Sequence, residues 1–184
     1  MTENRDHAIQ PDAGKALSEP ASWGGPVLHD TFTVSLRLAA TPGDVFRAFA
    51  DPGVRRRWFR LPGSGATYAH DFRVGGGETA SSTFATFAME PQQLAYRSRY
   101  LDIVPDRRIV YVYESHVDGV LRWTSLVTVE LRADTDADAD ADETVLTWTE
   151  QVAFVAPEGD GSDDLLHVRG GTRLRLNGLA AALA

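Results

Sequence analysis

The chain has 184 residues, no cysteine and a formal net charge of −8, from 18 basic and 26 acidic residues. This length indicates one domain with an extension, and such a domain folds without a metal or disulfide staple. The absence of cysteine excludes disulfides, thiolate catalysis and cysteine-ligated metals. The apolar runs are far shorter than the roughly 20 residues that cross a bilayer, and the beginning of the chain has no signal-peptide pattern. We therefore expect a cytoplasmic protein with no membrane insertion.

Most of the negative charge lies in two segments. Residues 134–143 contain six acids and no base, and residues 1–30 contain five acids and two bases. The Asp-Ala repeat of the first segment predicts a solvated hairpin loop, and the aperiodic start predicts a disordered or loosely docked tail over 1–29. The domain is then 30–184, with an acidic loop at 134–143. The rest of the chain is nearly neutral and has no concentrated basic face, so we expect no nucleic-acid partner.

The domain begins with a strand and two short helices. Thr41 and Asp51 each precede a proline, a pattern typical of a helix N-cap followed by proline at the first helical position. Two helices are therefore predicted, from residue 42 and from residue 52. The strand before them is indicated by alternation over 31–38, which places four apolar side chains on one face: Phe32, Val34, Leu36 and Leu38.

The rest of the chain is predicted to form strands and then one long helix. A helical apolar stripe from residue 165 to 183 has Ser162 or Asp163 as a candidate cap, and Gly170 and Gly171 as candidate points of close approach to the sheet. Consecutive strands with short turns form an antiparallel meander, so the fold class is α+β: a bent antiparallel sheet of six or seven strands around a long C-terminal helix. The predicted strands after the two helices are 68–74, 78–89, 92–103, 107–117, 121–132 and 143–154.

Four segments, in this order, resemble one family. They are Val-Phe-Arg-Ala-Phe-Ala-Asp-Pro at 45–52 with Trp58 after it, Asp-Phe-Arg-Val-Gly-Gly at 71–76, the stretch 100–114, and Leu-Thr-Trp-Thr-Glu-Gln at 146–151. The chain resembles the SRPBCC (START-like, birch-pollen-allergen-like) superfamily, and within it the homologues of the C-terminal domain of the heat-shock protein 90 ATPase activator. The resemblance implies a helix-grip fold with a pocket beneath the C-terminal helix. The expected ligand-binding residues are Trp58, Phe72, Phe84, Tyr100, Tyr113, Trp123, Trp148 and Glu150.

Three polar side chains are candidates for acid–base catalysis. Alternation over 146–154 places Glu150 on one face with Trp148, where burial would make it a general base or a ligand anchor. The alternative is a structural glutamate paired with arginine. Glu114 and His116 share a face of strand 107–117, but both faces of that strand begin apolar, so either face fits the core. The alternative for this pair is a solvent-facing strand end.

The sequence favours binding over catalysis and leaves the question of an enzyme open. The first hypothesis is a protein that binds a small apolar ligand or metabolite in its cavity, as a monomer or a homodimer. A cyclase- or hydrolase-like enzyme, comparable to the polyketide cyclases of the superfamily, is the second, and a regulator of the chaperone ATPase is the third. No cofactor is called for, and the histidine spacing contains no metal-binding pattern.

Overall fold

The computed structural model describes residues 26–87, 89–134 and 143–184. Residues 1–25 of the predicted tail and 135–142 of the predicted acidic loop lie outside this part of the chain. The elements are β1 (Leu28–Leu38), α1 (Pro42–Ala50), α2 (Pro52–Trp58), β2 (Ser64–His70), β3 (Glu78–Thr86), β4 (Met89–Val104), β5 (Arg108–Val117), β6 (Val120–Ala133), β7 (Thr144–Phe154) and α3 (Ser162–Leu183).

The seven strands form one antiparallel sheet in the order β1-β7-β6-β5-β4-β3-β2. The predicted α+β class, with a bent sheet, two short helices after the first strand and a long C-terminal helix, is confirmed. Helix α3 packs against α1, α2 and β1, so the three helices of the described ranges lie together over one face of the sheet, called here the covered face. Within the described ranges, no helix is both long enough and apolar enough to cross a membrane.

Local sequence signals determine where the two short helices begin. The Thr41 hydroxyl accepts a hydrogen bond from the backbone N–H of Asp44 at 3.1 Å. Asp51 uses Oδ1 to accept from the N–H groups of Gly53 and Val54, at 2.7 and 2.9 Å. Both predicted N-caps are therefore confirmed, because each side chain satisfies donors that the first helical turn leaves unpaired.

The covered face of the sheet forms the core. Strand β7 alternates as predicted: every second residue from Thr144 to Glu150, together with Val152 and Phe154, is buried. Helix α3 adds Leu176 and Leu179, which belong to the same cluster of buried side chains as the inward residues of the sheet.

Several predicted boundaries are wrong. Strand β3 ends at Thr86 and not at 89, and β4 begins at Met89 and not at 92. Strand β2 ends at His70, because residues 71–77 form a turn in which the Asp71 N–H donates to the Gly77 carbonyl at 2.8 Å. Helix α3 has Gly161, not Ser162 or Asp163, at its N-cap, with a positive φ of 79°. A β-carbon at Gly161 would lie 2.3 Å from a methyl carbon of Leu28, so this position needs glycine for both conformation and space.

The predicted role of the α3 glycines is also wrong. A β-carbon built on Gly170 or Gly171 meets nothing within 4 Å, so neither glycine is needed for close packing. The close approach occurs about two turns later, where a β-carbon on Gly178 would lie 3.4 Å from the β-carbon of Trp58. Helix α3 therefore packs most closely against α2.

Candidate functional site

A buried carboxylate lies under α3. The side chain of Glu150 is 0% exposed. Its Oε1 atom accepts hydrogen bonds from the hydroxyls of Tyr113 and Ser125, at 2.5 and 2.8 Å. Its Oε2 atom accepts from the indole N–H of Trp148 at 3.0 Å and the hydroxyl of Thr172 at 3.2 Å. One carboxylate therefore joins β5, β6, β7 and α3.

Neutral donors satisfy this carboxylate completely. A carboxylate offers about four lone-pair positions, and Glu150 uses four. None of the ion pairs among the described residues includes Glu150. Burial, followed by the nearby Glu150 charge, raises the pKa of Tyr113 far above its ordinary value, so the phenol keeps its proton and donates it to the hydrogen bond. The arrangement favours holding elements together over accepting a substrate proton.

The arginine-paired glutamate of this core is Glu78, on β3. Arg55 of α2 binds it with two hydrogen bonds, from Nε to Oε1 at 2.7 Å and from Nη2 to Oε2 at 2.8 Å. The Tyr68 hydroxyl donates to Oε1 at 2.5 Å. Burial raises the pKa of Glu78, but the Arg55 charge and these hydrogen bonds outweigh it, and the pKa is lowered overall. Glu78 is therefore an ionised partner of a buried cation.

Arg55 is buried among aromatic rings. Its guanidinium carbon lies 4.0 Å from the ring centre of Trp58 and 4.7 Å from that of Phe59, distances typical of cation–π contacts. Its Nη1 atom is buried and has no hydrogen-bond partner among the described residues. Sequence reasoning did not predict that Arg55 is buried. The signal it missed is spacing, because Arg55 shares a helix face with residues 58 and 59.

Aromatic side chains connect the two carboxylates. Tyr96 lies between Phe59 and Tyr113, with ring centres 4.8 and 5.2 Å away. A second group lies toward β2, where His70 Nε2 is 3.1 Å from the Tyr100 hydroxyl. Burial lowers the pKa of His70, so its neutral form is favoured beside that hydroxyl. The covered face is thus a continuous aromatic layer with two polar centres.

The residues predicted to bind a ligand are mostly within this layer. Trp58, Tyr100, Tyr113, Trp148 and Glu150 are buried, and Phe72, Phe84 and Trp123 are half-buried.

Trp123 joins the Glu150 cluster. Its indole N–H donates to the Tyr113 hydroxyl oxygen at 3.2 Å, and its ring centre lies 6.3 Å from that of the exposed His167. The structure therefore brings Tyr113, Trp123, Trp148 and Glu150 together. Ser125 and Thr172 complete the cluster, and sequence reasoning missed both as site residues because small hydroxyls carry no pattern of their own.

Glu114 and His116 lie on the other face of β5. The buried face of this strand carries Ile109, Tyr111 and Tyr113, which resolves the orientation that the sequence left open. Glu114 is exposed, and His116 pairs in register with Ala95 after a bulge. His116 Nε2 is 3.9 Å from the nearest Glu114 oxygen. The structure thus brings these two residues close to each other but not to Glu150.

A cleft of about 290 Å³ opens at the β2–β3 edge of the covered face. It lies between the segment after α2 and the strands β2 and β3, next to the Arg55–Glu78 pair and not beside Glu150. Two arginines and a threonine contribute polar groups to its lining, and the apolar lining is Phe59, Leu61, Ala66, Tyr68 and Ala80.

A seven-stranded antiparallel sheet holding a long C-terminal helix, with aromatic side chains between them, defines the helix-grip class of α+β proteins. Within this class, the chain belongs to the family of Activator of Hsp90 ATPase homolog 1-like proteins, whose sequence profile matches residues 39–184. The resemblance inferred from the four sequence segments is therefore confirmed. No protein with a curated function matches the chain significantly.

Solved structures support the same assignment. The Mll3558 protein from Rhizobium loti is 40% identical, with a TM-score of 0.69, and the match covers 86% of this chain and 99% of that one. An uncharacterized protein from Rhizobium leguminosarum is 32% identical, with a TM-score of 0.69 and coverage of 86% and 96%. Protein CV1439 from Chromobacterium violaceum is 28% identical, with a TM-score of 0.55 and coverage of 83% and 96%.

Proposed function

We propose that the protein binds a small, largely apolar molecule in the cleft beside Phe59 and Tyr68. The observation that carries the proposal is the cleft itself, with a volume of about 290 Å³ and a mainly apolar lining. Ligand sites are typically concave, mostly apolar and about 300–1,000 Å³ in size, with a few polar groups that orient the ligand. The cleft is close to the lower end of that range, so it suits a compact ligand.

The surroundings of the cleft support a preformed site. Phe59 packs against Tyr96 and lies under the Arg55 guanidinium, and the Tyr68 hydroxyl is held by Glu78. Both lining rings are therefore fixed by contacts behind them, and a ligand does not have to order them. Rigid lining side chains reduce the entropy that binding loses.

Binding accounts for the two carboxylates better than catalysis does. A cyclase- or hydrolase-like enzyme that used Glu150 would need one of its four hydrogen-bond donors to leave before the carboxylate could accept a proton. Of the two buried carboxylates, Glu78 is nearer the cleft, and its oxygens already accept hydrogen bonds from Arg55 and Tyr68. Regulation of a chaperone ATPase rests on the family relationship alone and is a separate outcome to test.

The proposal is tested by a thermal-shift screen of small apolar compounds, with native mass spectrometry of the purified protein. A ligand that binds only the folded state raises the midpoint temperature of unfolding by mass action. Ala66 is exposed and lines the cleft, so Ala66→Trp should fill the cleft and abolish the shift. Ala69→Trp is the matched control, because Ala69 is exposed on the same strand but does not line the cleft. Hits that Ala66→Trp does not weaken would contradict the proposal.

A further inference from the structure

We infer that the ligand of this cleft carries an anionic group, so that its class is a small apolar acid such as an aryl or alkyl carboxylate. The inference rests on the proposed function and adds to it the charge of the ligand. Two arginines, Arg56 and Arg60, line the cleft, and a neutral apolar ligand would leave both without an anionic partner.

Neither arginine is neutralised by a carboxylate. Among the described residues, Arg56 and Arg60 form no ion pair, whereas the buried Arg55 is paired with Glu78. Arg56 makes only a long contact with the Tyr68 carbonyl, 3.4 Å from Nη2, and its guanidinium carbon lies 5.4 Å from the Tyr68 ring centre. Arg60 uses Nε to donate to the Arg56 carbonyl at 3.0 Å. The two Nη atoms of Arg60 therefore remain available to an incoming group.

The charge at the cleft is positive. Glu78, which accepts the hydroxyl of the lining residue Tyr68, is compensated by Arg55, and the lining itself contains no Asp or Glu within the described residues. A guanidinium presents planar N–H donors that match the two oxygens of a carboxylate. An acid whose apolar body lies on Phe59 and Tyr68 would bring its carboxylate to these donors.

The adjacent arginine of the same helix provides a control. Arg57 donates from Nη2 to the Ala182 carbonyl at 3.2 Å and lines a different groove, between α1, α2 and the end of α3. Arg57→Gln therefore removes the same charge from α2 without touching the cleft. Arg56→Gln and Arg60→Gln alter exposed side chains, so we expect all three variants to fold.

The test is a calorimetric titration with 2-naphthylacetate and its neutral alcohol, 2-(2-naphthyl)ethanol, at pH 7.5. We expect the acid to bind roughly tenfold more tightly, a difference of about 1.4 kcal/mol, and we expect added salt to reduce the preference. Arg56→Gln and Arg60→Gln together should remove the preference, and Arg57→Gln should leave it. Ala66→Trp should abolish binding of both probes.

The remaining outcomes separate the two claims. Equal affinity for acid and alcohol, both lost in Ala66→Trp, would overturn the anion inference and leave the proposed function standing. A preference reduced as much by Arg57→Gln as by Arg56→Gln or Arg60→Gln would overturn it too, because general charge would explain it. Binding of neither probe would overturn the proposed function and the inference with it.

Discussion

Exchanging each buried glutamate for glutamine separates the two carboxylates of the core. Glu78→Gln removes the counter-charge of Arg55 and leaves a buried guanidinium without compensation. Breaking a buried pair in this way costs about 3–5 kcal/mol of unfolding free energy. Glu150→Gln leaves no charge without a partner, because all four partners of Glu150 are neutral.

The expected cost at Glu150 follows from its donors. The amide oxygen of glutamine accepts two of the four hydrogen bonds, and its NH₂ group faces the other two. The amide oxygen fits best at the Oε2 position, where it accepts from Thr172 and from the Trp148 N–H, which can only donate. The NH₂ group then faces the hydroxyl oxygens of Tyr113 and Ser125, which can accept, but the buried phenol proton of Tyr113 is left without an acceptor. One donor therefore loses its acceptor, which costs about 1–3 kcal/mol. Removing a buried negative charge offsets part of this cost, so we expect a net loss of about 1–2 kcal/mol.

The assay is urea unfolding of both variants, followed by tryptophan fluorescence and far-UV circular dichroism. A cooperative transition with an unchanged slope would report the free-energy difference directly. We expect Glu78→Gln to lose at least 1 kcal/mol more than Glu150→Gln. An equal or larger loss in Glu150→Gln would refute the reasoning, because it would mean that the Glu150 charge is compensated by a cation.

Three further predictions concern the hydrogen bond from Thr172 to Glu150, the half-buried imidazole of His70 and two glycines. Thr172→Val keeps the shape but removes a hydrogen bond to a charged group, and we expect a loss of about 1–3 kcal/mol in urea unfolding. Because His70 has a lowered pKa in the folded state, its contribution to stability is complete above pH about 6.5 and declines as the pH falls below that value. We therefore expect His70→Gln to reduce the dependence of the melting temperature on pH between pH 7.5 and 5.5. The same dependence in the variant as in the unaltered protein would contradict this. Gly77→Ala would place a β-carbon 1.9 Å from a carbonyl oxygen of β4 and should destabilise the fold by about 3 kcal/mol. Gly170→Ala, at a position with no atom near its β-carbon, should stabilise the fold by about 0.5–1 kcal/mol. Equal changes of melting temperature in the two variants would contradict this difference in packing around the two glycines.

The fold could be predicted because its signals are local and periodic. Alternation over β7 identifies the buried side of the strand, and the cap residues Thr41 and Asp51 identify where α1 and α2 begin. Where long-range packing overrides local pattern, the predictions fail. The start of α3 depends on contact between Gly161 and Leu28, and no residue near position 161 in the sequence reveals that contact.

The polar centres were only half predictable. Glu150 stands out as a charged residue in an apolar face, but its partners Ser125 and Thr172 come from other elements. The Arg55–Glu78 pair joins residues 23 positions apart, on the helix α2 and the strand β3. Pairing of this kind depends on how α2 lies across β3, which no periodicity in either segment encodes. The cleft beside this pair is hidden from sequence reasoning for the same reason.

Binding in the cleft is tested most directly by following the backbone amide signals of the ¹⁵N-labelled protein during titration with 2-naphthylacetate. We predict saturable shifts concentrated at Phe59, Leu61, Tyr68 and Ala80, which line the cleft, and their loss in Ala66→Trp. Shifts concentrated around Glu150 and α3, or no saturable shift at all, would contradict the account.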